Sequence, residues 1–272
     1  MSEVSRGIRR ERAIATGRAL GRGVLAGVAS IVAVVALWVG FLAIFGVSPY
    51  IGKGPIDVWE FLAVDPKAEA NRATVFGALG QTLLDASIGF VAGLALAALI
   101  AVIFTLSRGA EHALLPLAML LRSVPLVAMA PIIILIFGRE QLSVAVMGAI
   151  VVLFPALVTI AFGLRSASPH MLDLVRVYGG NQFTALRKVA FPASLPSFFA
   201  AVKVSVPGAI TGALLVEWLA TGKGIGYGIV SAAGRAKFNE VWADVVVITA
   251  VSIVLYNVVA IIESAVLSRQ AR

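Results

Sequence analysis

Residues 142–164 read LSVAVMGAIVVLFPALVTIAFGL, 23 positions without a charge and with Pro155 among them. A bilayer's hydrocarbon core is about 30 Å thick, so at about 1.5 Å per residue a helix crosses it in about 20 apolar residues. Lipid offers no water to backbone N–H and C=O groups, so such a run is stable there as a helix that bonds them internally. Five more stretches of the 272-residue chain meet the same requirement. Residues 24–46 are uncharged; 83–106 hold Asp85 near the start; 113–137 hold Arg122 with Pro116, Pro125 and Pro131. Residues 197–220 hold Lys203, Pro207 and Glu217, and 245–267 hold Glu263 near the end. The prolines allow 113–137 to be either one helix or a short surface helix followed by a span.

Composition agrees: 60% of residues are hydrophobic, 13% are charged, and mean hydropathy is +0.99. These values exclude disorder, nucleic-acid binding and a conventional water-soluble enzyme. The formal charge is +8, but the basic residues fall in gaps between apolar runs, a pattern that orients a membrane protein. The chain has no cysteine, which excludes thiolate metal sites, thiol catalysis and disulfides. Residues 24–46 are longer than a signal-peptide core of about 7–15 residues and are expected to remain as a span.

Alternate gaps set the orientation. One side carries thirteen Lys and Arg: Arg6, Arg9, Arg10, Arg12, Arg18, Arg22, Arg108, Arg165, Arg176, Arg187, Lys188, Arg269 and Arg272. The other carries seven: Lys53, Lys67, Arg72, Arg139, Lys223, Arg235 and Lys237. The side richer in positive charge stays in the cytoplasm, so both termini are expected there. The expected organisation is all-α: a basic cytoplasmic arm (1–23), a first span (24–46), an outer loop (47–81), a core (82–267) and a cytoplasmic tail (268–272). The arm either fixes orientation or rests as a cationic helix on anionic lipid.

The largest internal cytoplasmic loop, 165–196, carries the most information. From residue 168 it reads SPHMLDLVRVYGGNQFTALRKVAFPASLP. Pro169 can open a helix after Ser168, and Met171, Leu172, Leu174, Val175 and Tyr178 recur near helical spacing. Gly179-Gly180 permits a sharp change of direction, a second short helix follows through Phe183, Leu186 and Val189, and Pro192 and Pro196 are expected to end it. Two short apolar-faced helices joined at glycine form a docking knob through which a partner's movement can reach the attached spans.

These residues resemble the permease subunits of binding-protein-dependent ABC importers. That family's cytoplasmic hallmark is Glu-Ala-Ala, three residues, Gly, nine residues, Ile, one residue, Leu-Pro. Here Gly179 stands 13 residues before Pro192, with Val189 at the Ile position and Phe191 at the Leu position. The triplet falls on Asp173, Leu174 and Val175, so only the acid of its first position is kept. Thr82-Leu83, Pro116, Leu121-Arg122-Ser123-Val124-Pro125, Ala130-Pro131, Phe137-Gly138, Phe154-Pro155, 192–196, Glu217 and Gly224-Ile225-Gly226 are similar to the nitrate/sulfonate/taurine branch. The resemblance covers residues 80–267 and implies a five-helix type I importer core behind one N-terminal span. It implies a second permease, with a homodimer the economical arrangement, two cytoplasmic ABC ATPases gripping the 173–189 loop, and an extracytoplasmic binding protein. It also implies that ATP and Mg are bound by the ATPases, with no cofactor here; indeed no Gly-x4-Gly-Lys-Ser/Thr loop is present. Nitrate, sulfonates, taurine, and thiamine or pyrimidine precursors are the cargoes the branch suggests, in an inner (plasma) membrane.

Charges within spans are costly and need a reason. Arg122 either attracts an anionic solute or snorkels at the interface, and Lys203 snorkels at the cytoplasmic end. Glu217 can cap a helix, pair with Lys223, face the dimer or serve the pathway as a gate. Gly89-x3-Gly93 and Gly208-x3-Gly212 let helices approach closely, within the subunit or across a dimer. Gly222–Gly228 is expected as a tight outer loop without the helix that a nucleotide loop requires. His112 and His170 stand alone, which argues against a metal site. A self-contained channel or secondary transporter is the rival function, and a membrane enzyme a more distant one; neither an internal repeat nor an HExxH or paired-aspartate motif is present.

Overall fold

The computed structural model describes residues 27 and 29–270; the basic arm, the start of the first span and the last two residues lie outside the described residues. The described residues form helices and turns without a strand. In chain order the helices are α1 (Ala29–Ile44), α2 (Pro55–Trp59, extended by a π-turn at Glu60–Val64), α3 (Ala68–Leu106), α4 (Arg108–Ser123) and α5 (Leu126–Phe137). There follow α6 (Gln141–Arg165), α7 (Pro169–Val177), α8 (Gln182–Thr221), α9 (Gly224–Gly234) and α10 (Phe238–Gln270).

Among the described residues, α3, α6, α8 and α10 are long and apolar enough to cross a membrane. α4 and α5 meet that test only as a pair, bent by 101°, which makes five candidate spans. The 16 described residues of α1 extend about 24 Å, short of the hydrocarbon core. The membrane-spanning, all-α class is as expected, while the described helices do not reach the count of six. The break in residues 113–137 has a local cause. Pro125 crowds the backbone of the residue before it, and Val124 accordingly sits in extended conformation with ψ 123°. Of the two readings of this segment the structure takes the split one, with Ser107 capping α4 by accepting the Ala110 N–H at 3.2 Å.

One other expectation needs correction. Pro192 and Pro196 do not end the helix before the fifth span; α8 runs without interruption from Gln182 to Thr221. A π-turn at Leu186–Ala190 stands immediately before Pro192, and the Phe191 N–H reaches back to the Leu186 carbonyl. Widening the ladder in this way accommodates a residue with no N–H to donate. α3 begins at Ala68, so its helix starts ahead of the apolar run that opens at Leu83.

The core sits where α3, α6 and α8 cross. A Cβ built on Gly148 would lie 2.7 Å from the Gly89 Cα, and one on Gly212 would lie 3.3 Å from the Gly148 Cα. Both glycine pairs flagged in the sequence thus pack against α6 within the subunit, Gly89 and Gly212 on Gly148, Gly93 on Ala149 and Val152, and Gly208 on Val151. Phe104, Val152, Ala97, Ala201 and Ala209 fill the layers beside them. Outward, Leu135, Phe162 and Ile261 are exposed, as lipid-facing positions require. Trp38 of α1 stacks on Trp242 of α10 with centroids 5.4 Å apart, and the Trp242 indole donates to the Ile51 carbonyl at 2.8 Å.

Gly148→Leu is expected to abolish folding or lower stability by about 3 kcal/mol or more, because backbone occupies the space the side chain needs. Gly80→Leu on α3, where a Cβ meets nothing within 4 Å, leaves the protein folded. Detergent-solubilised yield and thermal unfolding of the two variants measure this.

Candidate functional site

α6 and α8 leave the core side by side, and α7 with its following turn caps their shared end. Gly163 of α6 lies against Ser197 of α8 with no room for a Cβ. Arg165, the last residue of α6, pairs with Glu111 of α4. Pro169 begins α7 in its first turn, where no N–H is needed. Tyr178 closes the helix and Gly179 takes φ +75°, the left-handed conformation that costs other residues about 1–2 kcal/mol. The Gly179 N–H donates to the Arg176 carbonyl at 2.9 Å and the Gly180 N–H to the Val175 carbonyl at 2.8 Å, a Schellman closure. Gly180 is needed for a different reason: a Cβ there would strike Val175 and Thr184. Asn181 then caps α8, its side chain accepting the Thr184 N–H at 2.9 Å. That cap is a readable sequence signal, an Asn before a helix, that the glycine spacing overshadowed.

The apolar residues of this knob divide into two sets. Leu186 and Ala190 are buried in the main core, and Leu172 and Val189 pack against it, so the knob is fixed to the spans. Val177 and Tyr178 are 84% and 83% exposed, with Met171, Leu174 and Phe183 exposed beside them. Asp173 is also exposed and pairs with Arg176 at 3.0 Å. The result is an apolar surface held rigidly on the end of two membrane helices, the kind of patch that marks a protein contact.

At the opposite end of α8 the chain turns through Gly222 and Gly224, both at positive φ, into α9. The expected tight loop is therefore only Gly222–Lys223, and a helix does follow it. Lys223, at the N-cap position, makes no side-chain cap bond. Two side chains from elsewhere supply it. Glu217 Oε2 accepts the Gly226 N–H at 2.8 Å, and Thr82 Oγ1 accepts the Ile225 N–H at 2.8 Å. Thr82 in turn donates to Glu217 Oε2 at 3.0 Å. The carboxyl thus meets the N–H groups and positive dipole end of α9, as a capping anion would, but from within the core. Glu217 is 0% exposed and Thr82 is buried with it. Of the roles open to Glu217, the geometry places it as a cap. Thr82 opens the second span in sequence, but nothing there signals a bond to a residue 135 positions away.

Arg122 lies in the last turn of α4, directly before the Val124–Pro125 break. Lys203 does not simply snorkel; its ammonium pairs at 2.6 Å with Glu263 of α10, both side chains being mostly covered. Among the described residues no group of three His, Cys, Asp or Glu is arranged to hold a metal ion.

A family model described as binding-protein-dependent transport system inner membrane component matches residues 89–272. The chain belongs to that family. It is therefore a multi-pass inner-membrane protein of a transport system, and the family is one of permeases rather than enzymes. The chain is 30% identical over 175 residues to a probable ABC transporter permease protein of Haemophilus influenzae, covering 64% of this chain and 71% of that one. It is 28% identical over 189 residues to the putative aliphatic sulfonates transport permease SsuC of Bacillus subtilis, covering 70% and 68%. It is 28% identical over 179 residues to the formylaminopyrimidine transport permease ThiX of Halalkalibacterium halodurans, covering 66% and 70%. In fold it is similar to a chain of the inward-facing MetNI methionine ABC transporter, with TM-score 0.57 and 19% identity over 74% of this chain and 98% of that one.

Lys203→Met leaves Glu263 charged without its partner and is expected to cost about 2 kcal/mol, between the values for exposed and buried pairs. The swap Lys203→Glu with Glu263→Lys is expected to recover most of the loss. Thermal unfolding in detergent, read as a double-mutant cycle, checks it.

Proposed function

We propose that this permease forms the translocation pathway of an ATP-driven importer and is driven through α7. Two copies form the pathway, and two cytoplasmic ABC ATPases, which bind ATP and Mg, seat against α7 and the turn from Tyr178 to Phe183. An extracytoplasmic binding protein delivers the solute. Both termini and the knob lie in the cytoplasm, consistent with the excess of Lys and Arg in those gaps. The observation that carries this reading is the exposed apolar surface of Val177, Tyr178 and Phe183 on a knob anchored to α6 and α8. It falls within the Asp173–Pro192 spacing of an EAA-type loop.

Mechanically, the ATPases change separation with nucleotide, and the knob has little freedom to move without its spans. Leu186 and Ala190 lie in the core, and Gly163 locks α6 against α8. Movement of α7 is therefore passed to the two helices that cross Gly148. That converts ATP binding into a bias between inward- and outward-open states. The solute is small and polar or anionic: relatives are named for aliphatic sulfonates, formylaminopyrimidine and nitrate. Arg122, beside the α4–α5 break, supplies a cation for an anionic solute, while Glu217 acts on the pathway by holding α9 rather than by touching the cargo.

Asp173→Arg and Gly179→Trp test the coupling. Each is expected to reduce the co-purifying ATPase about tenfold or more, the equivalent of about 1.4 kcal/mol of docking free energy, and to stop ATP-dependent uptake. The permease itself keeps its elution volume and helicity, since both positions lie outside the core. Unchanged ATPase association and uptake in both variants would remove α7 as the coupling element.

A further inference from the structure

At the end of the bundle away from the knob, a cavity of about 340 Å³ lies between the segment after α1, the start of α3 and the turn from α9 into α10. Lys53, Lys67 and Lys237 line it, with Tyr50, Phe61 and Phe238 as aromatic walls. The side of the chain that carries seven basic residues thus gathers three of them at one cavity. Orientation calls for lysine on the other side, so it does not account for this cluster. The two carboxylates in the lining are already committed. Asp65 Oδ1 accepts the Lys67 backbone N–H at 2.7 Å, and Glu240 lies 3.6 Å from the Lys237 ammonium and 3.8 Å from the Arg235 guanidinium. Among the described residues Lys53 and Lys67 have no ion pair, although Lys53 is half-buried.

The backbone adds charge of the same sign. Lys67 is the N-cap of α3 with Asn71 in the turn that follows, and Phe238 and Asn239 open α10. The positive dipole ends of two long helices therefore border the cavity that holds the lysines. A partly covered ammonium without a counter-charge is unfavourable, and an anion between the lysines removes that cost. We propose that this cavity binds one oxyanionic group, a phosphate or sulfonate, held by Lys53 and Lys67 with its organic part against Tyr50 and Phe61. The group belongs either to a small anion in solution or to a phospholipid headgroup. The walls are fixed before it arrives. Tyr50 and Phe238 meet edge to face with centroids 5.3 Å apart, and Trp242 holds the same segment through the Ile51 carbonyl. The volume is at the small end for a ligand pocket, about 300–1,000 Å³, and suits one such group. Bound there, the anion clasps the α9–α10 turn to the start of α3. This site lies apart from α7 and does not depend on what drives it.

Thermal unfolding and native mass spectrometry of the full-length permease test this. In nanodiscs of phosphatidylcholine alone, inorganic phosphate or methanesulfonate is compared with chloride at equal ionic strength. A free-anion site raises the unfolding temperature saturably, by about 3 °C at ten times the half-saturating concentration. A headgroup site instead retains one phosphatidylglycerol per chain when the protein is released from nanodiscs containing that lipid. Either result supports the proposal, and the pair of arms assigns the source. The double variant Lys53→Met, Lys67→Met is expected to lose the effect while its unliganded unfolding temperature stays within about 2 °C of wild type. Lys53→Arg, which keeps the charge, is expected to retain it. A wild type that shows neither a saturable shift nor a retained lipid overturns the proposal. So does a shift or a retained lipid that persists in the double variant, because the anion then binds elsewhere.

Discussion

The contact that everything else in this subunit depends on is backbone against backbone, at Gly148. Gly89 of α3 approaches it so closely that no side chain fits between them, and Gly212 of α8 packs tightly on its other side. In lipid there is no hydrophobic drive to bring apolar helices together, so close van der Waals packing through small residues has to supply the association. Having fixed the crossing point, α3, α6 and α8 can extend to both ends as long levers. α8 alone covers 40 residues, about 60 Å. One end of it carries the knob formed with α7, and the other carries the Glu217 carboxyl that seats α9.

The two ends are built to different standards. At the knob, apolar side chains face outward over a turn whose shape is fixed by two glycines, which suits a surface that is covered by another protein. At the α9 end the polar groups face inward and bond across three elements, α8, α9 and the sequence-distant α3. In the proposed coupling, a partner pressing on Tyr178 would act on a rigid lever whose far end holds a short helix by a few hydrogen bonds. That arrangement lets a displacement at one face become a change of seating at the other without deforming the packed centre.

Much of this was legible in the sequence because the constraints are local or compositional. Lipid requires long apolar runs, so residues 142–164 and 245–267 announce α6 and α10 directly. The Gly179-to-Pro192 spacing identifies the knob because a left-handed turn needs glycine at one defined position. The break at Val124–Pro125 was one of two readings, and pre-proline geometry decided it. Other features depend on partners far along the chain. Pro192 reads as a helix end unless the π-turn before it is known, and Lys203 reads as a snorkelling charge until Glu263 is seen 2.6 Å away. Thr82 and Glu217 meet only because Gly89, Gly148 and Gly212 bring their helices into register, which no window of sequence contains.

The central claim is that transport by this subunit is driven from outside through α7. Purifying the protein from its native host in mild detergent, identifying what accompanies it, and reconstituting the product in liposomes tests that most directly. The account predicts an ATPase present at two copies per two permeases, and solute uptake that requires ATP. A chain that purifies alone and moves solute in liposomes without ATP would contradict it.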